Sequence, residues 1–261
     1  MSQCSTSNSL QLTNIGELVT ANSVGVKRHQ YSSLCIEDGK ISSISDRNGG
    51  QIIDCGGKMV TAGFVDSHTH PVFYNKRDEE YRMRLAGATY EEIAAKGGGI
   101  ISSVEGVRNA SKEALVEKVM QRMDRFIAVG TTTIEAKSGY GLNTDSELKS
   151  LSVIDEVNQN HPIDMVPTFM GAHAFPKEFS NDHDAYIDLI CNEMIPAVTD
   201  QGVAIFNDVF CEEKYFTVEQ SRRILEAGRK HGLKPRLHAD EFVDSGAAVL
   251  AGEINAFSAD H

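Results

Sequence analysis

No Cys-x-x-Cys pair occurs in this 261-residue sequence, and its five cysteines, Cys4, Cys35, Cys55, Cys191 and Cys211, are scattered and odd in number. Neither a disulfide framework nor a thiolate zinc site is indicated, and a reducing compartment fits. No run approaches 18 apolar residues, which argues against a membrane-spanning helix. The Ser/Asn-rich N-terminus lacks the basic, apolar pattern of a secretory signal. Cationic charge is in deficit: 25 Lys and Arg face 37 Asp and Glu, for a formal net charge of -12. That balance argues against non-specific binding to nucleic acid or anionic lipid. It leaves an anionic small substrate open, since one placed arginine suffices. Short-period repeats and low-complexity linkers are missing too. With 41% hydrophobic and 24% charged residues, the composition is that of an ordinary globular protein, expected to be soluble and cytoplasmic.

What is present centres on Met59-Val-Thr-Ala-Gly-Phe-Val-Asp-Ser-His68-Thr-His70-Pro71. It reads as a buried strand with Val60, Phe64 and Val65 apolar, ending in two histidines one residue apart. Side chains on a strand alternate faces, so His68 and His70 point the same way. Two imidazoles so placed can grip one metal ion, because imidazole nitrogen suits zinc, iron and nickel.

Before this stretch, residues 10–57 carry short-strand signals, including the hairpin dipeptide Asp38-Gly39. After it the period changes. Leu115, Val119, Met123 and Ile127 fall on one face of a helix starting at Ser111, with Gly130 where a C-terminal cap belongs. A β-branched strand follows over 130–137. Thr144-Asp-Ser-Glu147 reads as a capping box opening a helix. Strands over 164–170, 203–210, 234–238 and 254–259 then alternate with helices over 184–198, from Thr217 to Gly232, and over 245–251. Such alternation demands parallel strands with right-handed crossovers. About six units predict an α/β fold, a (β/α)8 barrel that is incomplete, rather than a doubly wound open sheet. The expected domains are a small β-sandwich-like subdomain over 1–57 and the barrel over 58–261.

The barrel is preferred because of where polar residues fall. The strands end in His68 and His70, in Glu135-Ala-Lys137-Ser-Gly-Tyr140-Gly, in Gly171-Ala-His173, near Asn207, Asp208 and Glu212, in His238-Ala-Asp240-Glu241, and in Ser258-Ala-Asp260-His261. A lone strand-end histidine is ordinarily structural. In a barrel all these ends meet on one face, where active sites are built, and several histidines there point to a metal-assisted site.

Phe64-Val-Asp-Ser-His-Thr-His-Pro71 resembles the metal signature of the amidohydrolase superfamily. Within it, Glu135-Ala-Lys-Ser-Gly-Tyr-Gly141, Gly171-Ala-His-Ala-Phe-Pro176, Leu237-His-Ala-Asp-Glu241 and Ser258-Ala-Asp-His261 resemble the imidazolonepropionase family, over most of the chain. The resemblance implies hydrolysis of 4-imidazolone-5-propanoate to N-formimidoyl-L-glutamate in histidine degradation, with one divalent metal ion, zinc or iron. It implies His68, His70 and His238 as metal ligands, Glu241 as the carboxylate that orients water and shuttles its proton, and His261 as a contact to the reacting centre. His173 matches a substrate-contacting histidine able to donate to the ring carbonyl. Arg77 matches the arginine that binds the propionate, for which a guanidinium fork is suited; Tyr90 and Tyr140 match substrate-contacting tyrosines. Read alone, Arg77 belongs to the charged run Lys76-Arg-Asp-Glu-Glu-Tyr-Arg82, usually a solvated face, and Tyr90 is an ordinary packed residue. Gly97-Gly-Gly99 lacks the Lys-Ser/Thr of a phosphate loop and reads as a loop over the site. Asp66 and Lys137 read as structural or as supports of the ligands.

The sequence stops at His261, at a strand end, whereas such a barrel needs about two more strand–helix units. The family's aspartate metal ligand lies on the last strand. The expectation is a fragment that binds metal poorly and turns over little. Competing readings are another amidohydrolase or aminohydrolase acting on a heterocyclic ring, and an inactive chain serving as a binding partner. A small-molecule substrate is expected, with no nucleic acid and no membrane; a homodimer is compatible.

Overall fold

The structure is a computed structural model that describes residues 9–44, 50–89, 92–93 and 98–261. The chain divides into two compact units, Met1–Gly63 and Phe64–His261.

The first unit is a five-stranded mixed sheet. β1 (Ser9–Asn22) and β2 (Gly25–Glu37) form an antiparallel hairpin, and β2 pairs antiparallel with β3 (Lys40–Ser43). The Asp38-Gly39 turn is as the sequence predicts. Both residues have positive φ, 51° and 74°, the left-handed pair whose twist matches that of the flanking strands. β4 (Gln51–Asp54) and β5 (Met59–Thr61) both run parallel to β1. Ile15, Leu18 and Leu34 form its small core.

The second unit holds a six-stranded sheet in the order β11-β10-β9-β8-β7-β6, every pair parallel. The strands are β6 (Phe64–Asp66), β7 (Thr131–Lys137), β8 (Asp164–Ala172), β9 (Phe206–Cys211), β10 (Lys234–Ala239) and β11 (Ser258–Asp260). Between β6 and β7 lie α1 (Asp78–Leu85), α2 (Ile100–Asn109) and α3 (Lys112–Ala128), and then one connection per strand follows: α4 (Thr144–Asn160), a helix over His183–Gln201, α7 (Val218–Lys230) and α8 (Ala247–Glu253). Strand order following chain order, with helical crossovers, is the plan of a (β/α)8 barrel carried through six strands. The core is continuous from Val119 and Met123 of α3 through Ile134, Phe169, Val209 and Leu237 of the strands to Leu250 of α8.

Local chemistry explains most boundaries. Ser111 caps α3 by accepting from the Ala114 amide, and Leu115, Val119 and Met123 are buried as their spacing predicts. Thr217 and Gln220 close a full capping box on α7. The His183–Gln201 helix is α5 (His183–Leu189), a π-turn at Ile190–Met194, and α6 (Ile195–Gln201). Pro196 has no N–H to give the preceding turn, which accounts for the widened register just before it.

Two expectations are corrected. The stretch from Met59 to Pro71 is not one buried strand. It is β5 in the first sheet and β6 in the second, with Phe64 and Val65 62% and 69% exposed. The apolar alternation is the same for one strand or two, and Gly63 breaks it. The capping box at Thr144 is not formed either. Asn143 is the cap, accepting from the Ser146 amide at 2.8 Å, while Glu147 turns to another task. The charged run around Arg77 forms α1, which has no buried residue, in keeping with the solvated face the sequence predicts. Among the described residues no helix is long and apolar enough to cross a membrane.

Candidate active site

All six parallel strands deliver their C-terminal ends to one side of the sheet, as parallel pairing requires. His68 and His70 lie just beyond β6. Thr69 between them is tied to the second strand: its amide donates to Glu135 Oε2 at 3.3 Å, its hydroxyl donates to the Glu135 carbonyl, and its own carbonyl accepts from the Lys137 amide at 3.0 Å. This anchoring turns both imidazoles toward His238 at the end of β10. His70 Nε2 lies 3.4 Å from His68 Nε2 and 3.2 Å from His238 Nε2. Nitrogens of His68, His238 and His261 also lie within 4.8 Å of one another.

The far side of two of these rings is fixed. His68 Nδ1 is 3.1 Å from Asp260 Oδ2, and His238 Nδ1 is 3.1 Å from Asp208 Oδ1. Burial pushes the Asp208 carboxyl up, but His238 and Lys137 outweigh it and hold the group well below the usual carboxylate range. Asp260 is likewise held low: burial opposes, while His68, Arg236 and Lys137 prevail. Ionised carboxylates only accept, so each Nδ1 carries the proton and each Nε2 presents a bare lone pair. Burial first, then the surrounding basic groups, holds the His70 imidazole well below its ordinary value, and its Nδ1 has no hydrogen-bond partner among the described residues.

Imidazole nitrogens that converge in this way, with no partner fixed on His70 Nδ1, are arranged to share a cation. Four-coordinate zinc with Zn–N of about 2.0–2.1 Å would set nitrogens roughly 3.3–3.4 Å apart. The observed 3.2 and 3.4 Å agree with that spacing. The backing carboxylates are the usual partners of metal-binding histidines. The donor set therefore fits one divalent ion on His68, His70 and His238.

His173 follows β8. Its Nδ1 is 2.8 Å from the Gly139 carbonyl, which can only accept, so Nδ1 is protonated. Burial, then the His238 charge, push this imidazole down to about 3 against the Gly139 hydrogen bond. The ring is thereby held with its Nδ1 proton on the Gly139 carbonyl and its Nε2 free. It stacks on His70 with ring centroids 4.8 Å apart, and the Tyr140 ring lies 5.1 Å away. The loop bearing Tyr140 is held by Glu147. This fully buried carboxylate accepts from the amides of Gly139 at 3.0 Å, Gly141 at 2.8 Å and Leu142 at 2.9 Å.

Glu241 lies beyond β10, and its Oε2 is 3.6 Å from His261 Nε2. Burial lowers the His261 imidazole below its ordinary value, against the pull of Glu241. The loop carrying Glu241 is fixed on both sides. Buried Glu212 accepts from the Phe242 amide at 2.8 Å. Asp240 accepts from Ser245, Ala247 and Ala248 ahead of α8. A cavity of about 1050 Å³ opens here, lined by Glu241 with Arg84, Phe175, His183, Tyr215 and Phe242; it has room for a small heterocycle.

The structure thus brings together His68, His70, His173, His238, His261, Glu241 and Tyr140. It pairs Arg77 with Glu80 at 2.6 Å, in a cleft shared with Lys118, Arg122 and Arg125. Tyr90 lies outside the described residues, as does Gly97. Sequence reasoning placed Asp208 and Asp260 at strand ends and Glu147 in a capping box, but gave none of them the supporting contact it makes here. The available signal was a charged residue inside an otherwise apolar strand, as in Phe206-Asn-Asp208-Val-Phe210.

No family model matches the chain. Among curated proteins it is similar to the imidazolonepropionase of Brevibacillus brevis, 49% identical over 254 residues that cover 91% of this chain and 60% of that protein. It is also similar to the imidazolonepropionase of a Geobacillus species, 46% identical over 270 residues, with 97% and 64% covered. The chain spans about three-fifths of the length of these relatives. Among solved structures it is similar to a triazine hydrolase from Arthobacter aurescens, with TM-score 0.65, 12% identity, and 95% of this chain and 55% of that one covered. An amidohydrolase from a Sargasso Sea environmental sample aligns with TM-score 0.59 and 14% identity, over 94% of this chain and 55% of the other. At such identities the likeness shows the fold.

Proposed function

Since the chain belongs to the imidazolonepropionase family of amidohydrolases, we propose that it hydrolyses the cyclic amide of 4-imidazolone-5-propanoate to N-formimidoyl-L-glutamate. The observation that carries this reading is the convergence of three bare Nε2 atoms beside Glu241 and His261. His68, His70 and His238 would hold one divalent ion, zinc or iron, and that ion would supply Lewis-acid activation of water.

The chain's own residues do the rest. Glu241 takes a proton from water as its oxygen bonds to the ring carbonyl carbon, and returns it to the ring nitrogen as the C–N bond breaks. His261, next to Glu241, steadies that carboxylate and contacts the reacting centre. His173 accepts a hydrogen bond through Nε2, which suits a ring N–H of the substrate and fixes its orientation. Tyr140 packs beside it. Arg77 exchanges Glu80 for the substrate's carboxylate, and Tyr90 contacts the same ligand. Arg84 is the rival for the carboxylate, because it lines the cavity with Glu241. In this reading the N-terminal sheet is a separate small β domain, the barrel carries the whole site, and the enzyme works in the cytoplasm.

The test is loss of the ultraviolet absorbance of imidazolone propanoate, with metal analysis of the same sample. The expected result is metal-dependent consumption of the substrate, slow in this chain, which spans about three-fifths of its relatives, with KM raised by Arg77→Ala and little changed by Arg84→Ala. Metal-loaded chain that neither binds nor consumes this substrate would overturn the reading. Equal turnover of a ring lacking the propionate would transfer it to another heterocycle.

A further inference from the structure

Lys137 is fully buried at the end of β7, and none of the steps above uses it. Its Nζ donates to Asp208 Oδ2 at 2.6 Å and to Glu135 Oε1 at 2.8 Å, and lies 3.6 Å from Asp260 Oδ2. Each of these carboxylates ends on a different part of the histidine cluster. Asp208 holds His238 Nδ1, Asp260 holds His68 Nδ1, and Glu135 holds the amide of Thr69, between His68 and His70. One ammonium thus stands behind all three imidazoles without touching any of them.

From this arrangement we propose that Lys137 is the positioning residue of the centre, the shared cation that sets the orientation of His68, His70 and His238 together. The inference rests on the reading of these histidines as metal ligands. The chemistry favours an ammonium in this place. Lysine offers three donors on a compact charge, whereas a guanidinium is a planar fork suited to one carboxylate at a time. The ammonium sits between the two carboxylates, so one group fixes the position of both acceptors for the imidazole N–H groups. Arg236 cannot replace it. Its Nη2 reaches Asp260 at 3.1 Å and the Ser67 carbonyl at 2.9 Å, which supports only the His68 side. Asp208 has no other cation among the described residues.

The experiment compares wild type, Lys137→Met and Lys137→Arg by zinc titration and by the visible absorption of the cobalt-substituted protein, with circular dichroism of the metal-free form as the folding control. Lys137→Met is expected to fold, to lose about 10–100-fold in zinc affinity, and to shift the cobalt band. Arginine is expected to recover part of the affinity with a spectrum still displaced from wild type. A packing role alone would leave the cobalt spectrum where it is. Should Lys137→Met fail to fold, Lys137→Arg decides: a displaced spectrum supports the proposal. Wild-type affinity and spectrum in whichever variants fold overturn it while leaving the metal reading intact. Wild-type chain that binds no zinc or cobalt overturns both.

Discussion

The two sides of the histidine cluster are built differently. On the inner side, His238, Asp208 and Lys137 are 4%, 0% and 0% exposed, and Asp208 joins the other two through its side chain. On the outer side, Glu241 and His261 are each 32% exposed and 3.6 Å apart, on segments that leave the sheet. In the proposed mechanism, orientation is fixed where the ligands would be. Freedom is kept where a proton has to travel. A buried, fully partnered network holds a geometry, and a carboxylate in reach of water can take and return a proton.

That contrast can be broken from the inside first. His238→Ala is expected to abolish stoichiometric zinc binding, a larger loss than any change to a residue standing behind the ligands, measured by metal titration. On the outside, Glu241→Gln is expected to keep the metal and to lower kcat by about 10²–10⁴-fold, in the imidazolone assay. If that variant lost zinc instead, the division of labour would be wrong. Chelation sharpens the comparison without mutation. Zinc at 100 times its Kd should stabilise the wild type by about 2.7 kcal/mol over the metal-free form, and the His238→Ala chain by nothing, read by thermal melting.

The smallest effect concerns the support beneath His173. The buried Tyr186 hydroxyl donates to the Gly171 carbonyl at 2.7 Å. Burial raises its pKa well above 10.0, with Glu147 adding to the rise against the opposing pull of Arg108. A raised folded value means that this group's contribution is fully present below pH 10 and is lost as pH climbs, because only the unfolded chain can then release the proton. Tyr186→Phe should therefore cost about 1 kcal/mol at neutral pH, with the gap to wild type narrowing above pH 10 in denaturant titrations. A gap that widened in alkali would contradict the assignment.

How much of this was legible beforehand depends on the period of the signal. The strand period predicted that His68 and His70 face one way, and though both lie beyond β6 they do converge, while the hydrophobic faces of α3 and α7 repeat with the helix. Those periods are local and survive into the fold. The break between β5 and β6 was marked only by Gly63, since an apolar Phe64-Val65 pair reads as buried strand whether or not it is exposed. The supports of the site were hidden for another reason. Asp208 reaches His238 only because β9 lies beside β10, and Asp260 reaches His68 across 192 residues of sequence. Glu147 looked like half of a capping box, and only the placement of the Gly139–Leu142 loop shows where its oxygens go.

That loop has a consequence for dynamics. Three of its amide hydrogens end on a single sequestered carboxylate, so they cannot swap with deuterium unless the Glu147 cradle opens. Leu142 meanwhile sits at φ 52°, a backbone setting that a branched side chain resists. In a hydrogen-exchange experiment this irregular segment should behave like an inner strand, keeping its protons long after other connecting segments have traded theirs.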